Sequence, residues 1–189
     1  EQALALEPDN PLALTMLGVL AMRRGDAVAA REALAKAVSG PTPPYQAYAY
    51  LAAVQLADSD VQGALASART AVGLAPGSGL ARESLATALF FGGDSVAARG
   101  EIERALEANP NSATGHLLLS DILVQSGDMD GGLREAQLAV SLDPLLAPAY
   151  HALGMIFLAQ NALAQAERAF SRALELSPTL VAARTGMGV

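Results

Sequence analysis

Two histidines, His116 and His151, are the first residues in this chain that could support acid–base or metal chemistry. Neither brings the rest of a site with it. A metal site needs about three or more protein ligands, and no carboxylate or third ligand recurs beside both rings. The chain has no cysteine, which removes disulfides, thiolate ligands and a thiol nucleophile. Serine and threonine are scattered without a base at a repeated offset, and no phosphate-cradling glycine motif follows a strand pattern. The acidic run is similar: Glu101 and Glu103 fall on opposite sides of a helix, Glu103 and Glu107 are four apart, and the run reads as a solvated face. The sequence therefore asks for no catalytic residue, no cofactor and no metal.

What it does contain is a period. Pro8, Pro76, Pro110, Pro144 and Pro178 share one grid with a 34-residue step, and only the Pro41–Pro44 stretch lies off it. Pro11 and Pro148 fall at or near helix starts, where the missing N–H does little harm. Punctuation at a fixed period signals a solenoid. The grid predicts five full units, 11–44, 45–78, 79–112, 113–146 and 147–180, with 1–10 ending a preceding unit and 181–189 opening a further one.

Position 7 of the unit is Leu17, Leu51, Leu85, Leu119 and Leu153; position 8 is Gly18, Ala52, Ala86, Ser120 and Gly154. Position 20 is Ala30, Ala64, Ala98, Gly132 and Ala166; position 27 is Ala37, Ala71, Ala105, Ala139 and Ala173. Positions 4, 7, 8 and 11 share one helical face, as do 20, 24 and 27. Each unit thus reads as two amphipathic helices, A over about positions 1–14 and B over about 17–30. Arg24-Gly25-Asp26, Gly92-Gly93-Asp94 and Ser126-Gly127-Asp128 join them: Gly accepts the left-handed end of helix A, and Asp caps helix B. Positions 8 and 20 are never larger than Ser because the two helices approach closely there. Position 7 supplies the aliphatic group that fills the space beside them.

Composition agrees. Hydrophobic residues make up 52% and aromatics 4%, with alanine abundant, which suits closely packed helices. The net charge is -7 and Lys36 is the only lysine, which argues against nucleic acid and against an anionic membrane surface. No apolar run approaches the roughly 18 residues that span a bilayer.

Small residues at 8, Ala at 20 and 27 and Pro at 32, in register over five units, resemble the tetratricopeptide repeat along the whole chain. Position 4, often Trp in that family, is here Leu14, Tyr48, Arg82, His116 and Tyr150. Position 32 of the first unit is Thr42, within Ser39-Gly40-Pro41-Thr42-Pro43-Pro44, a junction expected to shorten helix B of that unit. The resemblance implies an all-α, right-handed superhelical solenoid of helix-turn-helix repeats, a single array over 1–189, with A helices lining a concave face. It also implies that positions 2, 5, 9, 12 and 13 face that groove. The groove candidates are Val19, Met22, Arg23, Ala53, Leu56, Thr87, Phe90, Phe91, Asp121, Val124, Gln125, His151, Met155 and Leu158. Position 12 is apolar in every unit, and an exposed apolar stripe marks an interaction surface. Phe90 and Phe91 are adjacent, so both cannot face inward on one helix. His116 is expected to pack where the family has an aromatic, and His151 to face the groove.

Position 5 holds Thr15, Ala49, Glu83, Leu117 and His151, so no clamp for an acidic C-terminal carboxylate is expected; position 6 holds Met16, Tyr50, Ser84, Leu118 and Ala152, so no asparagine ladder is. The function this implies is a non-enzymatic protein- or peptide-binding scaffold that takes an apolar or amphipathic segment. The alternatives are an accessory arm of a larger enzyme such as a transferase, or a structural part of a bacterial envelope or secretion assembly. The Ala-, Arg- and Gly-rich composition resembles that of a high-GC bacterium. The chain begins at Glu1 and shows no polar caps, so it reads as part of a longer array, its compartment unassigned. Open apolar ends near Leu4, Leu6, Met187 and Val189 predict end-to-end self-association.

Overall fold

The computed structural model describes residues 10–178. Leu4, Leu6 and the expected helix start over 181–189, with Met187 and Val189, lie outside them. Among the described residues there are ten helices and no strand. They are α1 Pro11–Arg23, α2 Ala27–Val38, α3 Tyr45–Ala57, α4 Val61–Leu74, α5 Gly79–Phe91, α6 Ser95–Ala108, α7 Ala113–Gln125, α8 Met129–Leu142, α9 Ala147–Ala159 and α10 Leu163–Leu176. The fold is an all-α helical repeat. The first helix of every pair starts 34 residues after the last, and so does the second.

Local chemistry sets these boundaries. The first helix ends at a left-handed residue, Gly25 (φ 74), Gly93 (φ 85) and Gly127 (φ 91) among them. The next residue then caps the second helix: Asp26, Asp94 and Asp128 accept the N–H groups of Ala29, Ala97 and Gly131 at 3.0, 3.0 and 2.8 Å. Asp60 does the same for Gly63 at 2.9 Å. Two pairs take the same path without glycine, through Ser59 (φ 65) and Asn161 (φ 58). Helix α2 ends at Val38 and is 12 residues long, against 14 for the other second helices, as expected at the Ser39–Pro44 junction.

The chain divides into two compact units, Glu1–Ala108 and Asn109–Val189. In the first, α1, α3 and α5 pack side by side, and α2 and α4 each bridge two of them. In the second, α7 packs beside α9, and α8 touches both. Among the described residues of either unit, second helices pack on first helices and not on one another. First helices therefore form a continuous layer in each unit, with second helices on its other side.

The close approach at positions 8 and 20 is visible atom by atom. Ala52, Ala86, Ser120, Ala30, Ala64, Ala98 and Ala166 are buried. A Cβ on Gly18 would lie 2.6 Å from Leu34 Cγ, and one on Gly154 2.5 Å from Phe170 Cε1. A Cβ on Gly132 would lie 2.5 Å from Val124 Cγ2. Each missing methyl on one helix is occupied by a larger side chain on its partner. Ser120 is buried and donates its hydroxyl to the Gly132 carbonyl at 2.8 Å, so its polarity costs little. The position-7 leucines are less uniform than expected. Leu153 is buried, Leu51, Leu85 and Leu119 are half-buried, and Leu17 is exposed.

Candidate interaction surface

The layer of first helices is where the expected groove residues lie, and the structure sorts them by depth. In the first unit Met22 packs against Ala21, Ala30, Leu34 and Val54, and Leu56 against Ala52, Ala64, Ala68 and Ala88. Phe90 and Val124 are also half-buried; of the position-12 stripe only Leu158 is exposed. The stripe is thus less open than expected, because Met22, Leu56 and Val124 pack into the core between neighbouring helices. The open row is one residue further on: Arg23, Ala57, Phe91, Gln125 and Ala159 are all exposed. Phe91 is 59% exposed and stands edge-on to Phe90, ring centroids 5.8 Å apart.

At position 9, Ala53 is exposed, and Val19 and Thr87 are half-buried. Thr87 donates its hydroxyl to the Glu83 carbonyl at 2.8 Å, so that proton serves its own helix. In the second unit Asp121 is half-buried and Met155 is 51% exposed. There the structure brings four expected residues together: Asp121, Val124, His151 and Met155 line one hollow of about 280 Å³ with Ala152 and Ile156. Its floor is aliphatic and its rim carries a carboxylate and an imidazole. His151 also stacks edge-on with Phe170 at 5.6 Å. Gln125 and Leu158 are exposed but do not line that hollow. The first unit has its own hollow, which the sequence did not announce, lined by Met22, Gly25, Ala27, Ala30, Ala53, Val54 and Ala57.

Position 4 holds polar chemistry that the family pattern obscured. His116 is buried, as expected, but not as a plain aromatic. Its Nε2–H donates to the Pro110 carbonyl at 3.0 Å, and its Nδ1 meets Glu135 Oε2 at 2.6 Å. Arg82 takes the same place one repeat earlier and pairs with Glu101 at 2.7 Å. Glu101 also accepts from Arg104 at 2.7 Å, so it is a bridged, half-buried carboxylate, not the solvated one expected. The shared spacing of 19 residues, 82 to 101 and 116 to 135, was a signal for both pairs. Glu103 and Glu107 are exposed as expected, Glu103 pairing with Arg99 at 2.8 Å. Elsewhere in the second unit, the hydrogen bond that the Arg172 guanidinium donates to Glu175, and then its hydrogen bond with Tyr150, hold it above its ordinary range.

Comparison with known proteins gives the same picture from outside. Two family models, both described as tetratricopeptide repeat, match the chain, one over residues 147–180 and the other over 1–45 and 84–147. No curated protein sequence matches. Among solved structures, a thermophilic TPR protein of Thermus thermophilus superposes with TM-score 0.81 at 22% identity, covering 94% of this chain and 97% of that one. PilF of Pseudomonas aeruginosa superposes with TM-score 0.70 at 15% identity, covering 88% and 76%. YrrB, described as a TPR protein with an unusual peptide-binding site, superposes with TM-score 0.58 at 18% identity, covering 98% and 96%. At these identities the likeness is one of fold.

Proposed function

The chain belongs to the tetratricopeptide repeat family, and on that premise we propose that it is a non-enzymatic scaffold that docks an apolar or amphipathic segment of another polypeptide on its layer of first helices. Proteins of this family generally serve as interaction scaffolds. No helix among the described residues is long and apolar enough to cross a membrane.

The observation that carries the reading is the exposure of large apolar side chains on the first-helix layer of each unit: Phe91 at 59% in the first and Met155 at 51% in the second. Large apolar groups held in water on a rigid surface are stabilised when a partner covers them. Each unit also has a hollow on or beside its own first-helix layer, that of the second lined by Asp121 and His151, and these supply shape and polarity. Recognition of a flexible segment must offset the entropy of ordering it, so a few anchors dominate. Phe90 and Phe91 in the first unit and Met155 in the second are those anchors, with Met adapting to varied partners.

The test is a selection of displayed random peptides on the immobilised chain. Titration of a selected peptide against the parent, Phe91→Ala and Met155→Ala follows. A peptide seated on the first unit is expected to bind Phe91→Ala about 1–3 kcal/mol more weakly, and one seated on the second to lose as much with Met155→Ala, while Glu107→Ala binds like the parent. Peptides that bind all four proteins equally would sink the reading.

A further inference from the structure

We propose that the hollow at the α1–α2 turn selects a single large apolar side chain followed closely by acidic residues, so that the partner of the first unit is an apolar segment with an acidic flank. This rests on the reading that the first-helix layer docks a polypeptide segment, and it adds the chemistry that would be chosen.

The hollow has a volume of about 170 Å³ and is lined by Met22, Gly25, Ala27, Ala53 and Ala57 around the buried Val54 and Ala30. None of these side chains carries a charge or a hydrogen-bonding hydroxyl or amide. The hollow is open to solvent on one side, and its apolar lining leaves room on the order of a benzene-sized group for a ligand that covers it. One phenylalanine, leucine or methionine side chain fits that description. The four alanines set the size, because each keeps a wall back by several atoms. Gly25 leaves the turn side without a side chain, and its φ of 74 is the left-handed conformation that ends α1.

Two cations flank the hollow in the chain. Arg23 and Arg24 stand in sequence between Met22 and Gly25, two of the lining residues, and both are exposed. The chain carries only 12 Lys and Arg against 19 Asp and Glu, so adjacent arginines run against its overall balance. Among the described residues neither guanidinium has an ion pair or side-chain hydrogen bond, whereas the neighbouring carboxylates are engaged. Asp26 caps α2 through Ala29 N–H at 3.0 Å, and Asp58 pairs with Arg31. Two arginines without an ion pair of their own, next in the chain to an apolar hollow, complement a ligand that brings its own carboxylates. Guanidinium groups suit this because they grip a carboxylate with two parallel N–H donors. Both arginines also sit at the C-terminal end of α1, where positive charge favours the helix dipole. That structural role predicts a change in stability and none in peptide choice, which separates the two.

The experiment selects displayed random peptides on the whole chain and reads their sequences, then titrates one synthesised winner against variants. Enrichment of an aliphatic or aromatic residue followed within a few positions by Asp or Glu is expected. Ala53→Glu, which puts a charge into the hollow at an exposed helix position, is expected to abolish binding of that peptide. Arg23→Gln with Arg24→Gln is expected to weaken it on the order of ten-fold, with Arg23→Lys and Arg24→Lys recovering most of the loss. High salt is expected to narrow the gap between parent and Gln variants. Melting curves check that each variant folds. Peptides that depend on Phe91 or Met155 but show no acidic preference and ignore Ala53→Glu overturn this inference and leave the scaffold reading standing. Failure to select any peptide, or peptides indifferent to every variant of the layer, overturns both.

Discussion

Gly18 and Gly100 are both helical glycines, yet their substitution should move stability in opposite directions. Alanine is favoured over glycine in a helix by about 1 kcal/mol. Gly100 lies inside α6 with nothing within 4 Å of an added Cβ, so Gly100→Ala should stabilise by about 0.5–1 kcal/mol. Gly18 would place its Cβ against the fully buried Leu34, so Gly18→Ala should destabilise by about 1–3 kcal/mol despite the propensity gain. Denaturant midpoints with unchanged slopes check both, and a stabilised Gly18→Ala would mean the helix crossing is looser than described. The same measurement tests the buried histidine. Glu135→Ala strands Nδ1 of a ring already tied to Pro110, at a cost of about 1–3 kcal/mol. Glu103→Ala breaks only an exposed pair and should stay within about 0.5 kcal/mol of the parent. The smallness of positions 8 and 20 was legible in the sequence. Which larger residue compensates, Leu34 for Gly18 or Phe170 for Gly154, was not, because the partners lie 16 residues apart on facing helices and only the crossing geometry pairs them.

At the scale of the helix, the period did most of the work. Five pairs with a constant step follow from prolines and small residues, because each of those marks a place where chain direction or helix separation is constrained. The second and fifth turns carried no glycine signal, and Ser59 and Asn161 adopt the left-handed conformation there because the pair needs it. A left-handed residue with a Cβ is strained by about 1–2 kcal/mol, less for Asn, whose side chain can bond locally. Ser59→Gly should therefore raise the thermal midpoint, and Asn161→Gly should do so by less; equal or lowered midpoints would show that those turns are relaxed as they stand. The surface was harder to read than the framework. Helical spacing identifies the face that a residue is on but not how far the next helix reaches over it. Met22 and Leu56 are on the expected face and half-covered, while Phe91, one residue after the expected stripe, is the aromatic that water reaches. His116 was placed correctly at the cost of its chemistry, since the family pattern suggested an aromatic and hid the 19-residue pairing with Glu135.

At the scale of the molecule, the interior repeats indicate what the outermost described helices lack. Position 10 of the first helix is buried wherever a preceding pair packs on it within a unit: Val54 is 4% exposed, Ala88 0% and Ile156 3%. Its counterpart in α1, Leu20, is 48% exposed, and Leu12, Met16 and Leu17 beside it are exposed too. On α10, Leu174 is 45% exposed, while Val38, Val72 and Val140 at the same place in other second helices are half-buried. Internal packing thus supplies the pattern for a contact between copies: the trailing face of one chain, with Leu174 and Leu158, resembles what covers position 10 inside the stack. Such a head-to-tail contact uses two different surfaces and need not close on itself. The 189-residue chain should therefore show a mass that grows with concentration in sedimentation velocity. Leu20→Glu and Leu174→Glu should each suppress that growth, since a charge in an apolar contact is costly to desolvate. Mixed together, the two variants retain one intact leading face and one intact trailing face, so the mixture should form pairs and stop there. A parent that stays strictly monomeric at high concentration, or a mixture that assembles no pairs, would show that the exposed leucines do not mate in this way.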